Sequence, residues 1–114
     1  MKSIQIGNAE LDSATTRGWL LGDFVDEESL LHSAAVELKW GTHTAGETRD
    51  EWTPGDHDRS IAILISGEFL LTFPDTEIVL KKPGDYVVWA KGVSHKWKSQ
   101  QDSILLTIRW RLSG

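Results

Sequence analysis

The feature that most constrains this chain is its punctuation. Short apolar runs alternate along most of its length with turns built on glycine and proline. Val36, Leu38 and Trp40 fall on one face of residues 34–40, and Ile104, Leu106, Ile108 and Trp110 on one face of 103–112. Such period-two spacing is the mark of a half-buried strand. Further runs at 18–25, 61–73, 76–80, 85–90 and 93–99 are separated by Ser66-Gly67, Pro74-Asp75, Lys82-Pro83-Gly84 and Lys91-Gly92. Glycine supplies the positive φ or the bulge that such corners need, and proline pre-sets a turn. Many short strands at regular spacing predict an all-β sandwich or barrel. Residues 26–34, DEESLLHSA, open on acidic side chains as a helix does, but the run is short and reads equally as a loop.

The longest polar stretch runs from Gly41 to Ser60, GTHTAGETRDEWTPGDHDRS. It reads as a long loop, and long loops inside compact domains carry function or move. With 114 residues the chain suits one domain and can bury a core without a cross-link. We expect an N-terminal strand and loop extension over 1–34 and a barrel core over 35–112. Cysteine is absent, so disulfides, thiol nucleophiles and cysteine metal sites are excluded. A formal charge of −5 argues against nucleic acid and against anionic membranes. No segment reaches the roughly 20 apolar residues of a membrane helix. The opening MKSIQIGNAELDS lacks the apolar run of a secretory signal, so the expected setting is the cytoplasm. Six tryptophans are many for this length, and most are expected in the core.

Within GDYVVWAKGVSHKWKS, residues 84–99, the chain resembles the cupins, small barrels of the jelly-roll or double-stranded β-helix type. The second motif of that family is glycine, five residues, proline, one residue, glycine, two residues, histidine, three residues, asparagine. Gly84, Gly92 and His95 match it, while Ala90 stands for the proline and Ser99 for the asparagine. Gly67 occupies the glycine that ends the first motif. The rest of the first motif, two histidines and a glutamate, is not restored in any register. Counting back from Gly67 puts Ser60 in the glutamate place and either Thr53 and Gly55 or Pro54 and Asp56 in the histidine places. Counting from Gly46 puts Trp52 and Pro54 there.

The resemblance implies that His95 points into the barrel, with Trp97 and Ser99 on its face by strand parity. A histidine there can ligate a metal or hydrogen-bond a ligand. His57, Asp56, His43 and Glu47 are the groups that could rebuild a site for zinc, iron, manganese or nickel. No G-x-S-x-G elbow and no phosphate-binding glycine loop occurs. Two readings of function follow. In the first, the barrel binds a small molecule without catalysis, using His95, Trp97, Ser99, Trp52, Ser60, Ser66 and Arg109, with Trp89 as a further wall. In the second, it is a metal-dependent cupin enzyme of oxygenase or isomerase type with a rewired site at His95, His57, Asp56 and His43. The missing motif-one ligands favour the first, and a protein purified without added metal is expected to be largely metal-free. The resemblance also implies a homodimer, with residues 18–25 pairing across subunits to cover a sheet edge.

Overall fold

A computed structural model describes residues 3–112. Among the described residues nine strands form two antiparallel sheets. The strands are β1 (Trp19–Leu21), β2 (Val36–His43), β3 (Thr48–Thr53), β4 (Arg59–Ser66), β5 (Phe69–Phe73), β6 (Thr76–Leu80), β7 (Tyr86–Ala90), β8 (His95–Ser99) and β9 (Ser103–Trp110). One sheet runs β1-β2-β9-β4-β7 and the other β3-β8-β5-β6. The all-β jelly-roll barrel predicted from the sequence is the fold observed. No helix among the described residues is long and apolar enough to cross a membrane.

Alternation decides what each strand buries. In β4, Ser60, Ala62 and Leu64 are buried, while Ile61 and Ile63 between them are partly exposed. In β5 the buried set is Phe69, Leu71 and Phe73. These two strands belong to opposite sheets, and their inward side chains meet in one core with Leu80, Trp89 and Leu105. The hairpin between them turns at Gly67, whose φ of +96° suits glycine. A Cβ there would collide with the Ser103 hydroxyl and the Asp102 carbonyl. The Ser103 hydroxyl accepts from the Glu68 amide at 3.1 Å, so the β4–β5 turn is fastened to the start of β9.

Two expectations change. The polar run 41–60 is not one loop, because its middle forms β3, paired only with β8 at the edge of its sheet. Five of its six residues are exposed, so no apolar stripe marks it in the sequence. Residues 18–25 form a strand only over 19–21, and β1 pairs with β2 of its own chain. The segment 26–34 is a succession of turns. The helical turns lie earlier, at α1 (Ala9–Asp12), where the Asn8 side chain accepts from the Leu11 amide, and at a 3₁₀ turn over Ala14–Thr16.

Candidate functional site

The register of the five-stranded sheet assigns its inner wall. Across it, Glu37 of β2 pairs with Arg109 of β9, and Arg109 with Ser60 of β4. One step along, Lys39 pairs with Thr107 and Thr107 with Ala62. Gly41 then faces Leu105, and His43 faces Ser103. Directly paired residues share a face, and Ser60, Ala62 and Leu105 are buried. Glu37, Lys39, Gly41 and His43 therefore face inward. Val36, Leu38 and Trp40 face outward, as do Leu106 and Ile108. The apolar stripes that betray β2 and β9 lie on the outside of the barrel, and the polar partners of the alternation line its interior.

Two cavities lie along this wall. The smaller, of about 80 Å³, is lined by Thr53, Pro54, Gly55, Asp56, His57, Ser60, His95 and Arg109. His95 is 8% exposed and sits on β8 directly across from Thr53. Burial holds the imidazole below its ordinary pKa, opposed by the Val93 backbone and reinforced by Arg109 and Arg49. At neutral pH the ring is uncharged, so one nitrogen donates and the other accepts. Among the described residues its Nδ1 is buried without a well-formed hydrogen bond, although the Val93 backbone interacts with the ring. Trp89 packs against the ring at 4.8 Å between centroids, and Phe73 lies at 6.4 Å.

The polar groups around His95 are already engaged with one another. Glu37 Oε1 lies 3.0 Å from His57 Nε2 and 3.7 Å from Arg109. The Arg109 guanidinium also stacks over Trp19, 4.5 Å from the ring centroid. Burial lowers its pKa while Glu37 raises it, and the guanidinium stays charged.

The larger cavity, about 730 Å³, opens between β2 and β3. Lys39, His43, Glu47, Arg49 and Trp97 are among its lining residues. Trp97 packs against the His43 ring at 4.6 Å and the Phe69 ring at 5.2 Å, an aromatic wall continuous with the core. His43 Nδ1 meets Glu47 Oε1 at 3.0 Å, and Glu47 Oε2 accepts from the Thr44 amide at 3.2 Å. Burial would raise the Glu47 pKa, but the His43 hydrogen bond and the Thr44 amide outweigh it and hold the carboxyl below its usual range.

The other sequence candidates lie elsewhere. Ser66 is exposed beyond a register shift in β4 and lines neither cavity. Ser99 is inward and fully buried, yet its hydroxyl donates to the Gln101 carbonyl at 2.6 Å and closes the β8–β9 turn. Trp52 is 47% exposed, with Lys96 Nζ over its ring at 4.5 Å on the outer side of the sheet. His57 and Asp56 do reach the cavity of His95, whereas His43 lines the other one. Trp19, Glu37, Lys39 and Arg49 were not anticipated. The signal for Glu37 and Lys39 was present, since they are the alternate face of the stripe read at 34–40.

A bound metal is the usual property of this barrel type, and the donors here do not fit one. In neither register do the places of two histidines and a glutamate hold those residues: they fall on Thr53 and Gly55 or on Pro54 and Asp56, with Ser60 for the glutamate. No group of three or more His, Cys, Asp or Glu side chains among the described residues comes close enough to hold an ion.

No family model and no curated protein sequence matches the chain. Solved structures do. A cupin superfamily protein from Desulfitobacterium hafniense is 20% identical, with a TM-score of 0.63 over 69% of this chain and 70% of that one. A protein from Neisseria meningitidis is 14% identical, with a TM-score of 0.61 over 93% of this chain and 99% of that one. Salicylate 1,2-dioxygenase from Pseudoaminobacter salicylatoxidans is 15% identical, with a TM-score of 0.57 over 66% of this chain but only 20% of that one. At such identities the likeness is one of fold. Two antiparallel sheets closed on a shared core, a glycine-turned β4–β5 hairpin and an inward histidine on β8 give this chain the cupin fold.

Proposed function

We propose that the chain is a small-molecule-binding cupin that works without a metal. The observation that carries this reading is the company of His95. Neither register of the first motif puts a histidine or glutamate where those ligands would be needed, and the nearby His57 lies 3.0 Å from Glu37. A neutral, buried imidazole whose Nδ1 lacks a well-formed hydrogen bond supports a role in hydrogen-bonding a guest. The Trp97 wall of the larger cavity suits a ligand with an apolar body. The reading includes a cytoplasmic homodimer with no nucleic-acid or membrane partner, consistent with the net charge of −5.

Elemental analysis after dialysis against a mild chelator tests it. Zinc, iron, manganese and nickel should each fall far below one per chain in the wild type and in His95→Ala alike. In a thermal-shift screen of small molecules, hits should weaken about tenfold in His95→Ala, the worth of one buried hydrogen bond. A second reading, a metal-dependent enzyme of oxygenase or isomerase type, is kept because His57 and Asp56 line the same cavity as His95. Near-stoichiometric metal that both His95→Ala and His57→Ala abolish would establish it and overturn the first.

A further inference from the structure

We infer that the larger cavity accepts a small organic carboxylate, held by Lys39 and Arg49 with its body against Trp97. This rests on the reading of the chain as a small-molecule binder, and it places a guest of named class in the cavity that His95 does not line.

Lys39 is a half-buried charge without a carboxylate partner among the described residues. Lys39 extends from the inner face of β2 into the cavity, and Arg49 reaches it from β3, where its Cα partner is Trp97. Among the described residues neither cation has a carboxylate within 4.0 Å. Lys39 is half-buried, and such a cation is normally paired because desolvation without compensation is costly, whereas Arg49 is exposed and donates to the Thr53 hydroxyl at 3.4 Å. Burial pushes the Lys39 ammonium below its usual pKa, and Arg109, Arg49 and Arg17 push the same way, against Glu47 alone. Among the groups acting on the Lys39 ammonium the arginines outnumber the carboxylates, although the cavity lining as a whole carries four acidic and three basic side chains.

The carboxylates near the cavity do not supply the missing partner. Glu47 is engaged by His43 and the Thr44 amide. Glu10, Asp50 and Glu51 stand exposed at the rim. The planar fork of Arg49 and the point charge of Lys39 together match a carboxylate's two oxygens. With about 730 Å³ available, the cavity has room for a small aromatic or aliphatic acid. The Trp97 ring, stacked on Phe69 at 5.2 Å, offers the flat apolar surface for its body.

The test uses matched pairs: benzoate with benzamide, phenylacetate with phenylacetamide, and inorganic phosphate, each against sodium chloride at equal ionic strength. Melting temperature is measured for the wild type, Lys39→Met and Arg49→Gln. At least one carboxylate should stabilise the wild type beyond chloride, with its amide and phosphate at least about tenfold weaker. That stabilisation should fall about tenfold or more in either variant. Lys39→Met should also melt higher than the wild type when no ligand is present, because a charge placed for a guest costs the empty protein stability. Amides that bind as well as acids would overturn the carboxylate assignment and leave the binding reading standing. A response that phosphate shares, or that survives both substitutions, overturns it too. If neither acids nor amides bind up to about 10 mM, the carboxylate assignment fails, while the binding reading stands or falls by the small-molecule screen on His95→Ala.

Discussion

His95 sets a pH dependence whose sign follows from its burial. Its folded pKa lies below the ordinary value of 6.5. Above that value the ring is neutral in both the folded and the unfolded chain, and the stability it permits is fully present. As the pH falls through 6.5, the unfolded chain binds the proton first, so stability drops until the folded pKa is reached. Urea midpoints should therefore fall on acidification from about pH 7 to about pH 5. In His95→Gln that fall should be shallower, and an equally steep fall would show that His95 does not titrate this way. The inward placing of His95 was legible before any coordinates, because glycine, turn and histidine fix where β8 begins and which side it presents. Lys39 and Arg49 were not legible in the same sense. Their meaning depends on β2 and β3 meeting across a cavity, and neither residue advertises a partner it lacks.

Among the elements, the turns carry the sharpest expectations. Gly67 and Gly84 have nearly the same φ, +96° and +94°. Around Gly84 nothing lies within 4 Å of an added Cβ, whereas at Gly67 the Ser103 Cα would lie at 2.7 Å. Gly84→Ala should cost only the backbone strain, about 1–2 kcal/mol. Gly67→Ala adds overpacking of about 1–3 kcal/mol on top. Denaturant midpoints of the two variants check the order, and equal losses would mean that the β4–β5 turn relaxes freely. Strand β6 lies at the 76–80 span read from the sequence, because its alternation sits between two clear turns. β3 could not be read that way. An edge strand whose side chains face water has no apolar stripe, and its hydrogen bonds to β8 leave no trace in composition. α1 escaped for a related reason: it buries no residue, and its Leu11 is 74% exposed.

At the scale of the molecule, the outer face of the five-stranded sheet stands out. Val88, Ile61, Ile108 and Leu38 lie side by side across it, and Tyr86, Ile63 and Leu106 form the next row. Val88 is 46% and Tyr86 63% exposed. The homodimer proposed above is better served by this face than by β1, which is already paired within its own chain. Light scattering at micromolar concentration should report a dimer, and Val88→Lys should shift it towards monomer with the melting profile of a folded protein. A monomeric wild type sinks the proposal. The same sheet also bears on how the chain is made. β9 is the last strand of the described order, yet it lies at the sheet's centre with β2 on one side and β4 on the other. Until residue 110 has cleared the ribosome, those two strands have no common neighbour. At about 5–20 residues per second, the nascent chain spends several seconds with the apolar edges of β2 and β4 unpaired. Chaperone capture should therefore be concentrated on chains stalled before β9 emerges and vanish once it has.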